Sequence, residues 1–161
     1  MLLGIEPSKL DELASLLSSF TNIAIRMGPS GAGYVTKLTQ LHLNYLLAQG
    51  IGEAMMMAAK ANINLTTLHQ VLQHSCAQSY VADRYIPMVL NGSYDPSFTL
   101  ELAAKDMRLI TQQALHLGVN LHLGEKVNQS YQHAMQKYGA DQPHLSVLKL
   151  IEDESGLKLR G

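Results

Sequence analysis

The sequence predicts an all-α fold that follows a short helix–strand segment, and three observations support this prediction. Leucine and methionine are abundant, whereas the 161 residues include 2 phenylalanines and no tryptophan, a composition that favours helices over strands. Apolar residues recur at helical spacing from about residue 32 onward. Glycines stand where helix C-termini are expected, at Gly118, Gly139 and Gly156.

Residues 1–27 predict one helix and one strand. Ser8 is expected to cap the helix, which continues with a leucine-rich face to about Ser19. The sequence NIAIR at residues 22–26 predicts a short strand. Because a lone strand is unstable, this strand is expected to pair with a segment outside residues 1–27 or to dock on another copy of the chain.

Residues 28–33, with the sequence GPSGAG, are the clearest interruption of regular structure. A long helix is predicted after them, from about residue 32 to residue 61. Its apolar residues lie on most sides, so we expect a central position. A helix of this length spans about 45 Å, which favours wrapping by a partner or protrusion from the domain.

The rest of the chain predicts five further helices joined by short turns. A turn is expected at residues 91–96, where the sequence is NGSYDP. The predicted helices cover residues 65–74, 79–90, 99–117, 123–138 and 144–153.

Composition and charge exclude several classes of protein. The formal net charge is −1 and there is no basic run, which argues against nucleic-acid binding. Residues 38–52 carry no charge but contain several polar groups, so a buried helix is favoured over a membrane span. The opening residues lack the basic region of a signal peptide. The single cysteine, Cys76, favours a reducing, cytoplasmic setting. No histidine spacing or second cysteine supports a metal site.

Lys37 is the first candidate for catalysis. It is the only charged residue between Arg26 and Glu53, and it lies in the opening turns of the long helix. Apolar surroundings and the positive end of the helix dipole favour a neutral amine, which can exchange a proton with a substrate hydroxyl. The alternative is a lysine that extends its ammonium to solvent at a helix end.

Gln40, Leu41 and Asn44 follow Lys37 by three, four and seven residues and share its face of the helix. An amide on this face can bind a carboxylate or a hydroxyl, so the three residues are candidates for substrate binding. Ordinary hydrogen bonding between helices is the alternative.

Two further groups have a structural as well as a functional interpretation. The glycines of residues 28–33 do not follow the G-x-G-x-x-G pattern, so a hinge or helix entry is favoured over a phosphate-binding loop. Phe98 ends a turn, and Lys105 and Asp106 lie two turns into the next helix. On residue type alone, an adjacent lysine and aspartate indicate a solvated face.

Together these segments resemble the C-terminal domain of the β-hydroxyacid dehydrogenases. That family includes 3-hydroxyisobutyrate dehydrogenase and, more distantly, 6-phosphogluconate dehydrogenase. The resemblance runs from Gly28 to about Glu152. It rests on GPSGAG followed by Lys37 and on Phe98 followed by Lys105 and Asp106. Shorter matches are Glu53-Ala54, Ala77-Gln78-Ser79, Gly118-Val119 and Ser146.

The resemblance implies an NAD- or NADP-dependent enzyme with Lys37 as the catalytic lysine. It implies that Phe98, Lys105 and Asp106 line the cleft that faces cofactor and substrate. It also implies that residues 1–27 are the last helix and strand of a Rossmann domain. Residues 28–161 would then be a helical substrate and dimerisation domain of the 6-phosphogluconate dehydrogenase-like type.

The chain departs from the family pattern at four positions. Leu41 stands where the family usually has a substrate-contacting asparagine, and Gln40 stands where asparagine or histidine is common. His144 replaces an aspartate that precedes the serine, and His122 replaces a proline. The loss of the amide at Leu41 bears directly on substrate binding.

Two hypotheses follow. In the first, the chain is the substrate-side half of a dehydrogenase for a small hydroxyacid or semialdehyde. It would act as a homodimer or larger homo-oligomer, and it would be inactive without a nucleotide-binding half. In the second, it is a non-catalytic all-α dimerisation or interaction module whose active site has decayed.

Overall fold

The computed structural model describes all 161 residues and divides the chain into two compact units, Met1–Leu41 and His42–Gly161. The first unit contains strand β1 (Leu2–Gly4), helix α1 (Pro7–Ser18), strand β2 (Ile25–Gly28) and the start of helix α2 (Ala32–Lys60). The remaining residues of helix α2 belong to the second unit.

The expectation of a lone strand is wrong, because β1 pairs with β2 in parallel. Leu2 lies opposite Ile25 and Leu3 opposite Arg26, so residues 2–28 form a β-α-β unit. The three residues of β1 are too few to show the period of two that identifies a strand. The capping prediction is also wrong. Glu6 precedes α1 and Pro7 occupies its first turn, where a missing N–H costs nothing.

The glycine-rich turn at residues 28–33 packs closely against β1. A Cβ on Gly33 would lie 2.6 Å from the carbonyl oxygen of Leu2, and a Cβ on Gly4 would lie 2.6 Å from that of Pro29. The Ala32 amide donates to the Pro29 carbonyl at 3.0 Å and thereby starts α2. These contacts agree with the helix-entry interpretation of the turn.

The second unit is helical, and the predicted helical body is confirmed. Ser79 and Thr99 accept hydrogen bonds from the amides of Ala82 and Leu102 and cap the helices that follow them, so those helices begin one residue later than predicted. After α2 come α3 (Leu65–Gln73), α4 (Tyr80–Leu90), α5 (Leu100–His116), α6 (His122–Tyr138), a 3-10 helix (His144–Leu148) and α7 (Lys149–Ser155).

The core of the second unit forms where α5 and α6 pack on the 3-10 helix. Tyr131 and Leu145 are fully buried there, together with one face of α5. Met55 and Met56 of α2 are also buried, whereas Met57 is 73% exposed, so the methionine run fills the core in part only. No helix of the chain is long and apolar enough to cross a membrane.

Candidate functional site

Helix α2 carries four of the predicted site residues. Lys37 and Leu41 are half-buried and Gln40 is exposed, all within the first unit. Asn44 lies in the second unit, where its side chain contacts Tyr85 of α4.

Asn44 belongs to a compact group of five side chains that we call the His144 cluster: Asn44, Tyr85, Asp95, Phe98 and His144. The hydroxyl of Tyr85 donates to Oδ1 of Asn44 at 3.2 Å. The rings of Tyr85 and Phe98 meet the imidazole of His144 edge to face, with centroids 5.1 and 5.8 Å away. The structure therefore links Asn44 and Phe98, two predicted site residues, through side chains of α4 and the 3-10 helix.

The His144–Asp95 pair is buried, with Nε2 of His144 3.0 Å from Oδ2 of Asp95. Burial lowers the pKa of His144 by more than Asp95 raises it, so the imidazole is neutral at pH 7. Burial raises the pKa of Asp95, but hydrogen bonds from Ser97 and His144 outweigh burial and lower it. The neutral imidazole therefore donates from Nε2 to an ionised carboxylate. Its Nδ1 is left buried without a hydrogen-bond partner.

The backbone around Asp95 explains why the cluster forms. Tyr94 and Asp95 both have left-handed φ values, 55° and 57°, a conformation that aspartate tolerates better than most residues. The amide of His144 donates to the carbonyl of Phe98 at 2.8 Å, and that of Leu145 donates to Tyr94 at 3.2 Å. These bonds hold the α4–α5 loop against the start of the 3-10 helix.

Lys105 and Asp106 have different environments. The Asp106 side chain is 5% exposed, whereas that of Lys105 is 48% exposed, and their charged groups are 3.9 Å apart. The hydroxyl of Tyr45 donates to Oδ2 of Asp106 at 3.4 Å. Burial, followed by the charge of Asp106, raises the pKa of Tyr45. The solvated-face interpretation is therefore wrong for Asp106, which shares the buried face of α5 with Met107.

Sequence reasoning missed Tyr45, Tyr85 and Asp95 as parts of the candidate site. Asp95 carried a weak signal, because aspartate in a turn commonly bonds the amide two residues later, as it does here with Ser97. The two tyrosines carried none, since aromatic residues at helical spacing indicate core. No group of three or more histidine, cysteine or acidic side chains in the chain is arranged to hold a metal ion.

The buried imidazole predicts a pH-dependent stability. Because the pKa of His144 is lowered from 6.5, the unfolded chain binds more protons than the folded one just below pH 6.5, and stability rises with pH there. We expect the free energy of unfolding to fall as the pH decreases from 7.5 to 5.5. His144→Asn should reduce this slope by at most ~1.4 kcal/mol per pH unit, the equivalent of one proton.

Urea unfolding at pH 5.5, 6.5 and 7.5 measures this effect. His42, whose pKa burial also lowers, contributes in the same direction and keeps part of the slope in the variant. The lowered pKa of Asp95 acts below pH 3.8, outside this range. His116→Asn, at an exposed position of α5, is the control. Equal slopes in the wild type and His144→Asn would contradict the assignment.

The sequence of this chain is similar to a family of dehydrogenases and to several individual dehydrogenases. The family model described as NAD-binding of NADP-dependent 3-hydroxyisobutyrate dehydrogenase matches residues 31–151. L-threonate dehydrogenase of Cupriavidus necator is 24% identical over 157 residues, which cover 96% of this chain and 52% of that protein. L-threonate dehydrogenase of Escherichia coli K12 is 30% identical over 115 residues, covering 69% of this chain and 38% of that protein. The chain thus spans about half the length, or less, of the curated relatives it matches.

Solved structures share the fold. A 3-hydroxyisobutyrate dehydrogenase of Mycobacterium tuberculosis, solved with L-serine, aligns with a TM-score of 0.83 at 21% identity. That alignment covers 92% of this chain and 53% of the other. Psf3, solved in complex with NADP+ and 2-OPP, aligns with a TM-score of 0.77 at 14% identity, over 93% of this chain and 52% of that one.

Proposed function

Since the chain belongs to the 3-hydroxyisobutyrate dehydrogenase family, whose members use NAD(P), we propose that it is the helical, substrate-side part of an oxidoreductase. The enzyme would interconvert a small hydroxyacid and its semialdehyde or keto acid. The match of the family model over residues 31–151 carries this proposal. Relatives named for L-threonate and for 2-hydroxy-3-oxopropionate support the substrate class.

The proposed roles follow the family pattern. Lys37 exchanges the hydroxyl proton of the substrate, and Gln40, Leu41 and Asn44 face the substrate from the same helix. When bound, the nicotinamide accepts or supplies the hydride. Phe98, Lys105 and Asp106 are proposed to face the cofactor. An aromatic ring and an exposed cation suit a nicotinamide nucleotide, and Asp106 lies next to Lys105 on the buried face of α5.

Activity assays of the full-length enzyme that carries this chain test the proposal. L-threonate, 3-hydroxyisobutyrate and 2-hydroxy-3-oxopropionate, each with NAD(H) and NADP(H), are the substrates to compare. We expect turnover of at least one of these acids. If none of them, nor any other small hydroxyacid, is turned over with either cofactor, the enzymatic proposal is wrong.

We also propose that residues 1–27 belong to a nucleotide-binding domain and residues 28–161 to the helical domain. The parallel β-α-β unit supports this division. The exposed apolar side chains of the same segment also support it. Helix α1 has no buried residue, Ile23 is 66% exposed, and Phe20 and Ile25 are more than half exposed. Further strands and helices of such a domain would cover these side chains.

We expect the 161-residue chain by itself to bind NADH and NADPH weakly or not at all. It contains no G-x-G-x-x-G motif, the turn that holds the pyrophosphate in dinucleotide-binding domains. Calorimetric titration of the isolated chain with each cofactor measures this. Submicromolar binding of either cofactor would show that these residues hold the nucleotide without that motif.

The alternative function is a non-catalytic all-α dimerisation or interaction module, and Leu41 favours it because leucine cannot replace the amide.

Under both functions we expect self-association, since Leu43 and Met57 of α2 are 58% and 73% exposed and Leu47 is 41% exposed. Analytical ultracentrifugation at micromolar concentration measures it. A single species of 17.7 kDa would contradict this expectation.

A further inference from the structure

We propose that Tyr85 is a positioning residue that fixes the Asn44 amide with its NH2 group outward, so that Asn44 binds an oxygen acceptor of the substrate such as a carboxylate. This inference rests on the proposed function, because it assigns the substrate contact of the same site. It names a residue of α4 that sequence reasoning did not select.

The hydrogen bond between Tyr85 and Asn44 runs from the phenol to the amide oxygen. Tyr85 Oη lies 3.2 Å from Oδ1 of Asn44. Burial has the largest effect on the Tyr85 phenol and raises its pKa, so the phenol keeps its proton at neutral pH and can donate to the amide oxygen. With Oδ1 occupied as acceptor, the amide presents its two Nδ2 hydrogens.

The ring of Tyr85 packs against a buried imidazole. The Tyr85 ring meets the imidazole of His144 at 74°, and the ring of Phe98 meets the same imidazole at 86°. His144 is 2% exposed and is held by its 3.0 Å bond to Asp95. An aromatic ring packed against a buried, hydrogen-bonded imidazole has little freedom to turn, so the phenol hydroxyl is held in one place.

On α2, Asn44 carries an amide and Leu41 does not. Leu41 offers no hydrogen bond where the family usually has an asparagine, and Asn44 follows it by three residues, close to one helical turn. An outward NH2 group donates but cannot accept. It therefore selects a carboxylate or carbonyl oxygen over an ammonium or other donor group. In this chain the substrate amide contact moves from the position of Leu41 to Asn44.

Steady-state kinetics of the full-length enzyme test the inference. Tyr85→Phe removes the donor but keeps the ring against His144, and we expect it to raise KM for the hydroxyacid about fivefold, the scale of one neutral hydrogen bond. The value of kcat should stay within about twofold, because Asn44 does not take part in proton or hydride transfer. Asn44→Leu should have the same effect, and the double variant should add nothing further. Tyr80→Phe, 72% exposed on the same helix, is the matched control.

An NMR measurement separates this inference from the proposed function. The Asn44 side-chain NH2 signals, identified by their loss in Asn44→Leu, should shift in Tyr85→Phe and remain unchanged in Tyr80→Phe. They should also shift on titration with L-threonate. If the enzyme turns over no hydroxyacid while these signals still shift in Tyr85→Phe and on addition of L-threonate, the proposed enzymatic function is wrong and the positioning role of Tyr85 is supported.

Three results would overturn the inference. The first is an unchanged Asn44 NH2 signal in Tyr85→Phe. The second is the absence of any shift of that signal when L-threonate and the other small hydroxyacids are added. The third is a Tyr85→Phe enzyme that loses kcat and thermal stability while KM for the hydroxyacid stays the same, which is the result of a purely structural role.

Discussion

We expect Lys37→Ala to lower kcat of the active enzyme by about 100-fold or more, the scale of lost general acid–base catalysis. In the proposed reaction the lysine amine would take the proton from the substrate hydroxyl while hydride would pass from the carbon that bears this hydroxyl to the nicotinamide, and alanine offers no group for the proton transfer. The position of Lys37 on α2, five residues after the helix begins at Ala32, keeps the amine on a fixed backbone. KM should change less than kcat, because the lost interaction forms mainly in the transition state.

Lys60→Ala is the matched control for this experiment. Lys60 lies at the exposed end of the same helix, and its ammonium donates to the Ser155 carbonyl in the second unit. We expect its kcat to be that of the wild type. Circular dichroism and thermal melting establish that both variants fold. Turnover by Lys37→Ala at the wild-type rate would show that another group moves the proton.

We expect a second large effect, on the free energy of unfolding, when Glu152 is replaced. The Glu152 carboxylate is completely buried and accepts hydrogen bonds from the Tyr94 hydroxyl at 2.7 and 2.8 Å and from the Leu159 amide at 2.8 Å. Burial and the bond to Glu152 raise the pKa of Tyr94 to about 12, so its hydroxyl remains a donor at neutral pH. Arg160 and Lys158 each place a cation 3.4 Å from the same carboxylate.

Glu152→Ala should lower the free energy of unfolding by about 3 kcal/mol, the scale for removing one partner of a buried charged network. Two buried donors then lose their acceptor, and the side-chain volume becomes a cavity. Glu152→Gln should lower the free energy of unfolding by less, since the glutamine amide oxygen still accepts one hydrogen bond. Glu154→Ala, at an exposed position two residues later, should change stability by less than about 0.5 kcal/mol. Equal urea midpoints for Glu152→Ala and Glu154→Ala would refute this account.

Local pattern was sufficient to predict most of the helical body. The long helix was predicted at residues 32–61 and is observed at Ala32–Lys60, because glycines precede it and apolar spacing runs through it. Ser79 and Thr99 marked the next boundaries, since their hydroxyls accept from amides three residues later. The three-residue strand β1 was missed because its stability comes from pairing with Ile25 and its neighbours, a contact distant in sequence.

The candidate site likewise contains residues that local pattern predicts and residues that only contacts distant in sequence bring together. Lys37, Gln40, Leu41 and Asn44 were selected because one helix places them at regular intervals. The His144 cluster brings together residues of α2, α4, the α4–α5 loop and the 3-10 helix, and no local pattern connects these segments. In the sequence, His144 is distinguished only as a departure from the family's aspartate. Its place in the cluster depends on the hydrogen bond to Asp95, 49 residues earlier in the chain.

The left-handed pair Tyr94 and Asp95 joins two networks through a single peptide bond. Tyr94 holds Glu152 and, through it, the end of the chain, whereas Asp95 holds His144. Since both residues have constrained φ values and share a peptide bond, we expect a change in the backbone at one to shift the other. We therefore expect substitutions at Glu152 and His144, which share no hydrogen bond, to be thermodynamically coupled in a double-mutant cycle. On this expectation the carboxyl-terminal segment would influence how sharply the orientation of Asn44 is defined, although it lies outside the group of residues that would contact a ligand.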